Sequence, residues 1–167
     1  MIFSRRSCLA GLTAAAAAPM IARPAWASAP LQLDWPDLIP PEANFSSMAG
    51  VVEHGAPTLR YTKEQGETLN GDLDGQVVRM AGFVLPTAFD GLAVTDFLLV
   101  PYVGACIHVP PPPPNQMVFV TFPEGFEGGR IFAAVTVTGV MKASLMRTAV
   151  APVGYSIEAD AVTTYEG

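Results

Sequence analysis

The sequence predicts a mainly β fold, with short strands following one another after an irregular N-terminal stretch. Three observations lead there. In 135–141 the apolar Val135, Val137 and Met141 alternate with Thr136 and Thr138, and Tyr155, Ile157, Ala159 and Ala161 alternate with Ser156, Glu158 and Asp160. A period of two buries one face of a strand. Turn signals such as Asp74-Gly75 and Asp90-Gly91 recur between apolar runs, at spacings that suit a small barrel. Gly82 and Gly139 stand inside strand patterns, where glycine marks a bulge or a sharp bend. Short curved strands with inner glycines make a small five-stranded OB-like barrel with an extended N-terminal arm, with a β-sandwich as the alternative.

The elements follow in order. Residues 1–27 read as a signal peptide: Arg5 and Arg6 precede the alanine-rich apolar stretch from Leu9 to Ile21, and Ala25-Trp26-Ala27 supplies small residues for cleavage. The arginine pair suggests twin-arginine export, so the expected location is the periplasm, with the mature chain starting at Ser28. The apolar stretch is too short and alanine-rich for a membrane span, which needs roughly 20 apolar residues. Residues 28–72 form the arm. Trp35-Pro36-Asp37-Leu38-Ile39-Pro40-Pro41 excludes helix and central strand through its prolines, and Trp35, Leu38 and Ile39 are its anchors. Residues 73–167 hold the barrel. Its strands are expected from Gln76 to Leu85, Val94 to Tyr102, Gln116 to Phe122, Val135 to Met141 and Tyr155 to Ala161, with a turn from Pro123 to Gly129.

Charge and cysteine content restrict function. The whole chain has 9 basic and 15 acidic side chains. Cleavage at Ala27 removes Arg5, Arg6 and Arg23 and no acid, leaving a formal charge of −9. Phosphate binding needs clustered Lys and Arg, so no nucleic-acid partner is expected. The exported product keeps one cysteine, Cys106. An internal disulfide is then impossible despite an oxidising compartment, and the thiol is buried, metal-bound or reactive.

The chemistry concentrates in Gly104-Ala105-Cys106-Ile107-His108-Val109, which runs into Pro110 to Pro114 and Asn115-Gln116. In extended backbone, residues two apart point to the same side, so Cys106 and His108 would present a thiol and an imidazole together. Prolines stiffen the ribbon behind them. Thiolate and imidazole suit zinc or copper, and Met48, Met80, Met117, Met141 or Met146 would add a thioether for Cu(I). A closed zinc site needs further ligands, and Asp96 or a second copy of the chain is a candidate source. The plainer alternative is a buried cysteine with a histidine bonded to backbone. A thiol enzyme would need His108 to ionise Cys106, yet there is no resolving cysteine and no evident third residue.

These residues are also familiar. Gly82-Phe83-Val84-Leu85-Pro86, Thr95-Asp96-Phe97-Leu98-Leu99-Val100-Pro101-Tyr102 and above all the Cys-Ile-His-Val-polyproline-Asn-Gln segment resemble the exported bacterial family known as domain of unknown function 3299. The likeness runs from the Trp35 arm to Tyr165. It implies a periplasmic accessory role, weakly zinc, and an ABC-transporter component or other periplasmic protein as partner. In that family the acid before Phe97 is often glutamate; Asp96 keeps the carboxylate on a shorter arm. The resulting expectation is a metal-handling accessory protein, with a metal-free adaptor module as the rival and thiol catalysis as a third reading.

Overall fold

A computed structural model describes residues 29–41, 62–104, 112–128 and 130–165. Six strands form: β1 (Leu31–Leu33), β2 (Val77–Asp90), β3 (Ala93–Val100), β4 (Val118–Phe126), β5 (Ala134–Arg147) and β6 (Pro152–Thr164). They hydrogen-bond in the order β1-β2-β3-β4-β6-β5, and β5 pairs back onto β2. That last pairing closes strands β2 to β6 into a five-stranded barrel, which decides against the sandwich. All barrel contacts are antiparallel except β4 with β6.

Closure depends on the length of β2. Its first half pairs with β5 on one edge, from Val77 opposite Val140 to Phe83 opposite Ala134. Its second half pairs with β3, from Phe83 opposite Val100 to Asp90 opposite Ala93. β1 lies parallel to the first half, on the edge that β3 leaves uncovered. The two glycines singled out in the sequence serve this curvature differently. At Gly139 a Cβ would run into the Glu158 carbonyl, and the β5–β6 register shifts between Thr138 and Gly139, so this is a bulge. At Gly82 the register is unbroken; a Cβ there would lie 2.8 Å from Leu99 Cγ and 2.9 Å from Trp35 Cζ2. Gly82 makes room for the tryptophan.

Strand alternation sorts apolar side chains into two clusters. Val78, Met80, Val84, Phe97, Leu99, Val118, Val120, Val137, Tyr155 and Ile157 fill the barrel interior. Phe97 meets Phe126 edge to face, with centroids 5.5 Å apart. Each fully buried side chain of this size contributes roughly 1.5–3 kcal/mol. On the outside of the barrel, Leu98, Val100, Met117 and Val153 form a second buried cluster, covered by Phe83, Leu85, Phe119, Phe132 and Met146. The outer face of β3 and β4 is the one on which OB folds bind oligonucleotides. Here its residues Leu98, Val100 and Phe119 are committed to packing.

The structure departs from the sequence expectation at several places, among them β2, which continues past the expected end at Leu85 through Pro86 to Asp90, and β5, which runs on past Met141 to Arg147. The third barrel strand starts at Val118 and continues to Phe126, through the expected turn at Pro123. Proline is tolerated because Pro123 lies beyond the β4–β6 ladder, which ends at Thr121, and inside the register shift of the β3–β4 ladder between Thr121 and Phe126, an edge and bulge position that proline accepts. The arm is not uniformly extended: Trp35–Leu38 forms one turn of 3-10 helix, with the Asp37 carboxylate accepting from the Asp34 amide at 2.7 Å. A short helix, α1 (Lys63–Glu67), is capped by Thr62, whose hydroxyl accepts from the Gln65 amide.

Candidate functional site

The connection between β3 and β4 carries the sequence's strongest chemical signal, and its two ends are firmly held. On the upstream side Leu99 and Val100 are fully buried, the first in the barrel and the second in the outer cluster. On the downstream side Pro112 and Pro113 are buried and lead into a 3-10 turn, Pro114–Gln116. That turn is fixed by amides. Asn115 is fully buried, and its Nδ2 donates to the carbonyls of Gln65 at 2.9 Å and Thr68 at 3.0 Å. Gln116 Nε2 donates to the carbonyls of Trp35 and Asn115, each at 3.0 Å. Cys106 and His108 stand between these posts, in 105–111, outside the described residues; Met48 and His54 also lie outside them.

The other ligand candidates are placed by the strands. Asp96 lies on β3 opposite Ala88 and Thr121, half-buried, with Oδ2 accepting from Thr95 Oγ1 at 2.9 Å. Four residues of strand, about 13 Å, separate it from the end of β3 at Val100. Met80 and Met141 fill the barrel interior and Met117 the outer cluster, with Met146 packed against it. These methionines are core residues. Among the described residues no group of three or more His, Cys, Asp and Glu side chains converges, and no helix is long and apolar enough to cross a membrane.

Behind the loop's downstream post stands Tyr155. Its ring is fully buried, and its hydroxyl donates to the Leu38 carbonyl and accepts from the Asn70 amide, both at 2.6 Å. Burial raises the phenol's pKa above the ordinary value, opposed by the hydrogen bond from Asn70. Asn70 Nδ2 in turn donates to the Asp37 carbonyl at 3.0 Å. One network therefore ties the arm, the segment before β2, the 114–116 turn and β6 together.

A family model described as a protein of unknown function (DUF3299) matches residues 35–164. The chain belongs to this family. The DUF3299 match begins at Trp35, so the family unit includes the arm's tryptophan and Leu38 as well as the barrel. Among solved structures, the chain is similar to the crystal structure of a DUF3299 family protein from Pseudomonas aeruginosa PAO1, with 33% identity and a TM-score of 0.69 over 84% of this chain and 99% of that one. No curated protein matches.

The sequence marks Gln116 as the start of a strand and Tyr155 as an inward strand residue, but not the hydrogen bonds that Asn115, Gln116 and the Tyr155 hydroxyl make. For the amides a signal was present: two amide side chains directly behind an apolar polyproline run must find partners if the run is buried. Those partners sit 47 to 81 residues away in the chain, which is why the signal did not name them.

Proposed function

We propose that this DUF3299 protein is an exported periplasmic accessory protein that handles zinc or copper as cargo, with Cys106 and His108 supplying thiolate and imidazole. The observation that carries the reading is the position of Cys106-Ile107-His108 between the buried end of β3 and the amide-fixed turn Pro114–Gln116. Holding both ends of a short segment lowers the entropy lost when two of its side chains converge on an ion. A thiolate with an imidazole is a donor set for zinc or Cu(I). Two ligands leave coordination positions open, to be filled by Asp96, by a second copy of the chain or by an ABC-type transporter component that gives or takes the ion. In this reading residues 1–27 are the export signal.

The test is metal content and titration of the purified full chain in reductant. One equivalent of zinc or Cu(I) should bind, Cys106→Ser should abolish uptake, and His108→Ala should weaken it about tenfold or more. Because thiol and imidazole must lose protons to bind, affinity should fall as pH drops from about 8 to about 6. Absence of uptake of either metal would sink the proposal.

A second reading, a metal-free adaptor, is favoured by the β2–β3 turn, where Phe89 is 60% and Leu92 88% exposed. It expects no stoichiometric metal, and partner capture that survives both substitutions but is lost in Leu92→Asp.

A further inference from the structure

Opposite the crowded β3–β4 face, the outer surface of β1, β2, β5 and β6 is hollowed into a groove of about 660 Å³. Pairing builds it rank by rank: Gln32 lies opposite Arg79, Ala81 opposite Thr136, and Thr136 opposite Thr163. Since Val78 and Met80 point into the barrel, Arg79 and Ala81 point outward into the groove. The Arg79 side chain is exposed and makes no hydrogen bond or ion pair with any described residue. Threonine hydroxyls and Tyr165 surround it, and none of the described lining residues is acidic. In a chain with 15 acids against 9 bases, a groove whose described lining carries a guanidinium and no acid is a local inversion of charge.

A second hollow adjoins the groove. A slot of about 170 Å³ between Trp35, Phe83, Pro101 and Tyr165 shares Ala81 and Tyr165 with it. Its back wall is rigid, because Trp35 Nε1 donates to the Ala81 carbonyl at 3.0 Å and the indole occupies the space that a side chain at Gly82 would take.

We propose that groove and slot are one ligand site, for a carboxylate carried next to an aromatic or branched apolar group. The guanidinium fork of Arg79 takes the carboxylate in a bidentate, charge-assisted pair, with threonine hydroxyls as further donors. The apolar group enters the slot against Trp35 and Phe83. Arg79, Ala81 and Phe83 follow one another in two-residue steps on the outer face of one strand, so the guanidinium's groove and the apolar slot lie along the same line of β2. A single guanidinium matches one carboxylate better than a phosphate dianion. Two sources carry this chemistry, a free acid and the C-terminus of a peptide. The proposed contacts use neither Cys106 nor His108.

Nitrogen-15 NMR of the full chain tests it, with N-acetyl-L-phenylalanine, its carboxamide, Gly-Gly-Phe and inorganic phosphate as probes. The acid should shift the amides of Ala81, Thr136 and Thr163 and the Trp35 indole, with a Kd of about 1 mM or tighter. The carboxamide should bind about tenfold more weakly, and Arg79→Gln should weaken the acid by the same factor while the other resonances hold their positions. Thr163→Val should weaken it by less. Tighter binding of Gly-Gly-Phe than of the acid assigns a peptide C-terminus, and equal binding a free acid. Absence of shifts, equal binding of acid and carboxamide, phosphate binding as tight as the acid, or unchanged affinity in Arg79→Gln would each overturn the proposal.

Discussion

Tyr155 shows how one side chain fixes the relation of arm to barrel. Its ring belongs to the barrel interior, while its hydroxyl bridges the Leu38 carbonyl and the Asn70 amide. Phenylalanine at this position would keep the packing and orphan both backbone groups, so Tyr155→Phe should cost about 1–3 kcal/mol at neutral pH. The pH dependence follows from the raised pKa. An unfolded tyrosine ionises near pH 10, and the buried one only at higher pH. The hydroxyl's contribution is therefore fully present below about pH 10 and is lost as pH rises through the folded value. Urea unfolding of both proteins at pH 7 and near pH 11 should show the gap between them narrowing at the higher pH. A gap that is constant or grows would contradict this assignment.

Among the elements, β5 and β6 carry the sharpest sequence constraint. Gly139 lies so close to the Glu158 carbonyl and Ala159 that a Cβ cannot be added without moving backbone. Gly139→Val should therefore destabilise the barrel by about 3 kcal/mol or more, at the upper end of ordinary single substitutions, visible as a lowered urea midpoint. A change below about 0.5 kcal/mol, the range of ordinary surface substitutions, would contradict the close approach. The alternation in 135–141 and 155–161 made these strands legible in the sequence, and the glycine marked the bulge. What was not legible is instructive. The continuation of β4 through Pro123 was hidden because proline reads as a terminator, and neither the end of the β6 ladder at Thr121 nor the register shift against β3 shows in the local sequence. The parallel β1 was hidden because three residues carry no period, and its pairing is supplied by the uncovered edge of β2. Neither fact is local.

At the scale of the molecule, the barrel is the scaffold, and the proposed metal ligands lie in the connection between β3 and β4. The strands close with β5 on β2 and β4 parallel to β6, and Asn115 and Gln116 fix the downstream end of the β3–β4 connection. The candidate metal residues were legible as a Cys-x-His pattern, whereas the partners of the amides that follow them in the chain and the Arg79 groove required the fold. Their residues come from separate strands and meet only across pairing. Joint binding of the cargo ion by Cys106 and His108 is read out by X-ray absorption spectroscopy of the zinc-loaded full chain. The account predicts one sulfur at about 2.3 Å and an imidazole nitrogen at about 2.0–2.1 Å. A first coordination shell of oxygen and nitrogen alone would contradict it.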